Sequence, residues 1–300
     1  MQKRVAIIGV FDGVHRGHQA VIAQARAVAG EGRVVAMTFD PHPLRVLHPE
    51  KAPAMLGSID DRIDALHDAG VDDVVVVDFT RALSEQSPRE FVEAFVVGEV
   101  GAEVVVVGRN FRFGHRAAGD VDTLRALGSE FGFTVQDADL RGDGDRYSST
   151  RVRNALANGD LAQVVEVLGR PFTYRGEVVH GDHRGRTLGV PTANVDITAD
   201  RAAPVDGVYA GWVRVLEGSC PRMTAAISVG DNPQYAGTQR RIEAHVVDRD
   251  DLDLYGTRIE VGFTRRLRGQ EVFASEEAFI TQMQADIAAA RALGEQEPTP

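Results

Sequence analysis

The chain has 300 residues, enough for two domains that each bury a core of their own. Acidic residues number 44 against 33 basic ones, and a net charge of −11 without a basic arm excludes a non-specific binder of nucleic acid or of an anionic membrane surface. One cysteine, Cys220, excludes an internal disulfide and a cysteine-based zinc cluster, and no apolar run approaches the ~20 residues of a membrane span.

The first segment, Met1 to Gly9, reads as a strand and not as a secretory leader, so a cytoplasmic location is expected. Strands are predicted at Val5 to Ile8, Val34 to Phe39, Val74 to Val77 and Val104 to Val107, each apolar on both faces as a buried parallel sheet requires. Helices fill the intervals. Gln19 to Ala29 stops at Gly30; Ile59 to Ala69 follows Ser58 with Asp61 three residues on; Pro88 to Val97 follows Ser87, with Glu90 completing a capping box. From Arg170 the period changes. Phe172 to Val179, Gly207 to Leu216, Thr224 to Val229, Arg241 to Val247 and Arg258 to Thr264 read as closely spaced strands, the pattern of a small antiparallel barrel. A last helix starts near Ser275 and runs to about Leu293. The fold class is therefore α/β plus β: a Rossmann-like domain over residues 1–169, a β-barrel with a C-terminal helix over 170–293, and a disordered tail over 294–300.

In an open α/β sheet ligands bind beyond the carboxyl ends of the strands. The turn after the first strand reads Gly9-Val-Phe11-Asp12-Gly-Val-His15-Arg-Gly17-His18 and leads into a helix. Two imidazoles three residues apart share a face, Gly17 admits a phosphate chain to the backbone, and the helix start supplies oriented N–H groups. A zinc site would need a third ligand, and no Cys- or His-rich partner motif appears. Further on come Phe39-Asp-Pro-His42-Pro, then Gly108-Arg-Asn110-Phe-Arg-Phe-Gly, and Ser148-Ser149-Thr150-Arg-Val-Arg153. Asn110 suits a planar ring system. Ser148 or Ser149 suits a helix cap, with Arg153 in reach of a phosphate.

The second half carries Gly181-Asp-His-Arg-Gly185-Arg186-Thr-Leu-Gly189-Val-Pro191-Thr192-Ala193-Asn194, glycines around arginines that describe an anion-binding loop. In an extended segment Thr192 and Asn194 point to one face, and a hydroxyl and an amide oxygen are hard ligands suited to Mg²⁺. In Arg241 to Val247 the residues Ile242, Ala244 and Val246 alternate onto one face and leave Glu243 and His245 on the other. An alcohol must lose a proton as it attacks phosphorus, and such a transfer benefits from a positioned carboxylate. Lys3 and Lys51 are the only lysines and neither closes a P-loop, so if the protein handles nucleoside triphosphates their phosphates must be met by arginines, histidines, backbone N–H groups and a metal.

Taken together, these motifs in this order resemble the bacterial bifunctional riboflavin kinase and FAD synthetase family over nearly the whole chain. The first half resembles the FMN adenylyltransferase module of the nucleotidyltransferases with a His-x-Gly-His signature. The second resembles the kinase module with its Pro-Thr-x-Asn signature and catalytic Glu. The resemblance implies MgATP-dependent phosphorylation of riboflavin to FMN, with Glu243 as base, and adenylylation of FMN to FAD at His15, His18 and Arg153. It implies ATP and flavin binding by Gly9, Phe11, Asp12, Gly17, Asn110, Ser149, Thr150, Gly181, Gly185, Arg186 and Gly189, and Mg²⁺ at Thr192 and Asn194. Partners would be the small molecules ATP, riboflavin and FMN, with neither nucleic acid nor membrane; an oligomer is compatible. Asn232-Pro-Gln234-Tyr departs from the family's Asn-Pro-Thr-aromatic pattern. Two other readings stay open at this point: a riboflavin kinase fused to a nucleotidyltransferase of other specificity, and a flavin-binding regulator without turnover.

Overall fold

The computed structural model describes residues 2–138, 147–181, 190–218, 220–231 and 240–295. They divide into two units, Met1–Ser149 and Thr150–Pro300.

The first unit alternates strand and helix: β1 (Arg4–Ile8), α1 (Arg16–Ala29), β2 (Arg33–Asp40), α2 (Pro43–Leu47), α3 (Ile59–Asp68), β3 (Asp73–Asp78), α4 (Arg81–Ser84), α5 (Pro88–Phe91), β4 (Val104–Gly108), α6 (Val121–Phe131) and β5 (Thr134–Ala138). The strands form one parallel sheet in the order β3-β2-β1-β4-β5. Their apolar runs serve two cores at once. Ala6, Ile8, Val35, Met37, Val105 and Val107 pack with Phe91, Val92 and Val96 on one face, while Val5, Ile7, Val34, Ala36, Val104 and Val106 meet Ile22, Ala25 and Leu66 on the other. Both capping boxes read from the sequence form, Ser58 with Asp61 and Ser87 with Glu90. The helix expected to end at Val97 continues from α5 as wider π-helical turns over Val92–Val100 and stops at Gly101, which is left-handed at φ 61°. Chain order reverses between β1 and β4, so the crevice beyond their carboxyl ends is the place where such a sheet receives ligands.

The second unit contains α7 (Ser149–Asn158, whose first residue closes the first unit), α8 (Leu161–Leu168), β6 (Phe172–Glu177), β7 (Ala193–Asp196), β8 (Gly207–Val215), β9 (Met223–Gly230), β10 (Arg241–Val246), β11 (Arg258–Arg268) and α9 (Glu276–Gly294). The six strands pair antiparallel in the order β6-β11-β8-β9-β10-β7. The two edge strands then meet each other. Val179 N–H donates to Asn194 O at 2.8 Å in an isolated antiparallel bridge, and the Tyr174 hydroxyl donates to Asp196 O at 3.3 Å, so the sheet curls into a nearly closed barrel. Tyr174, Tyr209, Ile227, Ile242, Ile259 and Phe263 fill its interior. Helix α9 is capped by Ser275 and anchored by Asp286, which accepts from Arg268 at 2.7 Å. Among the described residues no helix is long and apolar enough to cross a membrane.

Candidate active sites

The turn that leaves β1 is strained. Phe11 and Val14 hold φ at 52° and 40° with Gly13 at 77° between them, and a β-branched residue in that region is costly enough to require surrounding support. That support is visible. Gly9 N–H donates to Met37 O at 3.1 Å, Val14 N–H to Phe11 O at 3.1 Å, and the amide of Gln19 to Val14 O at 2.9 Å. Asp12 is 4% exposed; its carboxylate accepts Leu56 N–H at 2.9 Å and its carbonyl accepts the hydroxyl of Ser149 at 2.8 Å. Ser149, read from the sequence as a possible cap, is thus the first helical residue of α7, with its side chain tied to the turn.

His15 caps α1: its Nδ1 accepts His18 N–H at 3.4 Å, which places the proton of the neutral ring on Nε2. The two imidazoles stack at 3.6 Å and 20°, and Phe11 meets His18 edge-on at 5.2 Å. Gly17 is closely approached here: a Cβ would lie 3.1 Å from the His15 ring and 3.4 Å from Tyr147 O. No acidic residue occupies the first turn of α1, so the helix itself does not offset the positive end of its dipole there.

Beneath the histidines lies a residue that sequence reading missed. Arg62 of α3 is 4% exposed; its Nη1 donates to Phe39 O at 2.8 Å and to the Thr38 hydroxyl at 3.2 Å, and that hydroxyl donates to Val10 O at 3.0 Å. The arginine therefore supports the turn from below. Burial lowers its pKa, opposed by the charges of Asp12 and Asp40. His18 is pushed well below the ordinary 6.5, first by burial, then by the charges of His15 and Arg62. Its Nδ1 is buried without a hydrogen-bond partner among the described residues. The missed signal was an arginine four residues before Leu66, on the inward face of α3.

Asn110 follows β4, the neighbour of β1, and lies exposed, with its Oδ1 3.3 Å from the point a Cβ on Gly108 would occupy. The structure thus gathers Gly9, Phe11, Asp12, His15, Gly17, His18 and Ser149 in one contact network and puts Asn110 at the same sheet edge. Thr150 and Arg153 lie on α7 within the second unit.

In the barrel, β10 alternates as expected, with Ile242, Ala244 and Val246 buried and Glu243 half-buried on the opposite face. Glu243 stands directly across from Asn194 on β7 and from Ser228 on β9. The strand β7, unpredicted as such, starts within the Pro-Thr-Ala-Asn segment, taking in Ala193 and Asn194 while Pro191 and Thr192 precede it. Asn194 is 7% exposed; its Nδ2 donates to Thr192 O at 3.2 Å and lies 3.4 Å from the Thr192 hydroxyl, so both side chains face one way. Gly181 packs on that amide: a Cβ there would lie 2.7 Å from Asn194 Oδ1. A hydroxyl and an amide oxygen, cradled by a glycine beside a carboxylate, are a donor set that fits a hard cation carried with a polyphosphate. Gly185, Arg186, Gly189 and Gln234 lie outside the described residues.

Comparison with known proteins matches the two halves of the chain to two family models. A family model for FAD synthetase matches residues 1–151, and one for riboflavin kinase matches 168–293. The chain is 42% identical over 293 residues to the bifunctional riboflavin kinase/FMN adenylyltransferase of Pseudomonas fluorescens, covering 96% of this chain and 92% of that one. It is 38% identical to the protein of the same name from Escherichia coli K12, covering 96% and 91%. Among solved structures, a Streptococcus pneumoniae protein named as a macrolide-efflux protein aligns with a TM-score of 0.83 at 30% identity, covering 97% of this chain and 94% of that one.

Proposed function

The chain belongs to the bifunctional riboflavin kinase/FMN adenylyltransferase family, and from that membership we propose how its two units divide the chemistry. The enzyme makes FMN from riboflavin and ATP, and FAD from FMN and ATP. We assign the kinase to residues 170–293 and the adenylyltransferase to residues 1–169, in a cytoplasmic protein. The observation that carries the division is the contrast between a carboxylate facing Asn194 in the barrel and, at a helix start in the α/β unit, a stacked imidazole pair in which burial lowers the pKa of His18.

In the kinase step the 5′-hydroxyl of riboflavin attacks the γ-phosphorus of ATP, giving FMN and ADP. The alcohol must lose its proton as it attacks, and Glu243 takes it. Thr192 and Asn194 would hold Mg²⁺, which when bound neutralises phosphate charge; the glycine loop from Gly181, with Gly185, Arg186 and Gly189, holds the phosphate chain.

In the second step an oxygen of the FMN phosphate attacks the α-phosphorus of ATP, giving FAD and pyrophosphate. That nucleophile is already an anion near neutral pH, so no base is required. The difficulty is repulsion between two polyanions, and the need is for donors aimed at developing charge. His15 offers Nε2–H, His18 lies against it, and the start of α1, whose first turn holds no acidic residue, supplies N–H groups. Gly9, Phe11, Asp12 and Gly17 shape that turn, Ser149 ties it to the start of α7, and Asn110 meets a ring. Thr150 and Arg153 are assigned to the triphosphate on the sequence motif.

Mass spectrometry of the products from riboflavin and MgATP tests the whole reading. FMN followed by FAD, with ADP and pyrophosphate released, is expected. FMN alone would leave the adenylyltransferase assignment wrong, and neither product would overturn both.

A further inference from the structure

Strands β7 and β10 pair in register from Arg241 opposite Asp196 to Ala244 opposite Ala193. One more rung would set His245 against Thr192, but the residue before Thr192 is Pro191, which has no N–H to give a ladder. The chain would be free to peel away just where the two proposed cation ligands begin. A side chain replaces the missing main-chain bond: His245 Nδ1 lies 2.8 Å from Pro191 O. A carbonyl oxygen only accepts, so Nδ1 carries the proton and donates.

Thr192 is therefore held from both sides. Pro191 is pinned by His245, and Asn194 is fixed in the ladder opposite Glu243, with its amide on Thr192 O. Glu243 and His245 are two residues apart on one face of β10, so one strand presents both the proposed base and the group that fixes the facing ligands. We propose that His245 is a positioning residue of the kinase site: by clamping the Pro191 carbonyl it sets the position of Thr192 relative to Asn194 and Glu243. The assignment deepens the kinase reading and rests on it. Phosphoryl transfer depends almost entirely on such positioning, and a displacement of about 1 Å costs on the order of a hundredfold.

The test uses the full chain with His245→Phe, which keeps a ring but loses the donor, and His245→Asn, whose Nδ2–H can replace Nδ1–H. Expected in His245→Phe are a rise of about tenfold in KM for MgATP and in the Mg²⁺ concentration for half-maximal FMN formation, with FAD formation from supplied FMN within about twofold of the parent. His245→Asn should recover most of the loss. As a readout independent of turnover, amide hydrogen exchange over residues 192–195 should accelerate in His245→Phe and return towards the parent in His245→Asn, while β9 stays protected. Unchanged exchange and Mg²⁺ dependence in His245→Phe overturns the clamp, as does a His245→Asn variant no better than His245→Phe. If His245→Phe fails to fold, His245→Asn alone decides, since parent-like exchange and KM are required of it. Glu243→Gln measured in parallel separates the two levels: continued FMN formation there overturns the underlying kinase reading, whereas its loss alongside a parent-like His245→Phe overturns the clamp alone.

Discussion

The two candidate sites are assembled in opposite ways. In the α/β unit the chemistry sits in one short stretch, Gly9 to His18, held by local hydrogen bonds and capped onto a helix; in the barrel it lies across the seam between β7 and β10, where Asn194 meets Glu243 only because the sheet closes. Their electrostatics differ as well. The first presents stacked imidazoles, His18 with a lowered pKa, together with a buried arginine and the carboxylate of Asp12, which accepts Leu56 N–H; the second presents a half-buried carboxylate beside an amide and a hydroxyl. A site that must remove a proton and a site that must tolerate two polyanions call for these two solutions.

The sharpest way to break this contrast is to exchange charge for amide at the base. Glu243→Gln should lower riboflavin phosphorylation by about 10³-fold, within the usual range for a general base, and leave FAD formation from supplied FMN unchanged. His18→Ala should do the reverse, lowering FAD formation by about 10²-fold with phosphorylation intact, because it removes one ring of the stacked pair without touching the barrel. Coupled assays on both folded variants decide: if the two activities fall together in either one, the sites are not chemically separate.

A smaller effect tests the support beneath the first site. Arg62→Met keeps bulk but removes the donor to Phe39 O and the Thr38 hydroxyl, and with it the cation facing Asp12 and Asp40. FAD formation should fall by about tenfold, roughly 1.4 kcal/mol of transition-state stabilisation, through the turn that Thr38 carries at Val10 O. Steady-state kinetics with FMN as substrate reads it. An unchanged rate would mean that the turn holds itself.

How much of this was legible in the sequence follows from the same contrast. The histidine turn, its glycine and both capping boxes are local patterns, and they appear where the residues placed them. Glu243 and His245 were legible as a face by strict alternation along β10. What could not be read is pairing at a distance: Pro191 O under His245, Leu56 N–H on Asp12, and the curl that brings Val179 to Asn194. Strand β5, with polar residues at Thr134, Gln136 and Asp137, lacks the apolar run of the other four strands and so gave no such signal. Arg62 was hidden by the ordinary expectation that an arginine on a helix faces water.

The smallest effect is a dependence of stability on pH that belongs to the first unit. In the unfolded chain His18 takes up a proton around its ordinary value of 6.5, whereas in the folded turn burial and the charges of His15 and Arg62 hold its pKa well below that. Between the two values the unfolded state binds more protons than the folded one, so stability rises with pH through this window and is fully present above it. Lowering the pH from 7.5 to 5 should therefore destabilise the parent more steeply than His18→Gln, in which the titrating group is gone; urea melts of the full chain across that range measure the difference. Equal slopes would mean that His18 titrates alike in both states, and a buried His18 with a lowered pKa would no longer describe the site. Arg62→Met supplies the cross-check. With one of the charges that depress His18 removed, its folded pKa moves back towards 6.5, and the slope attributable to His18 should shrink without vanishing, because burial, the larger cause, remains.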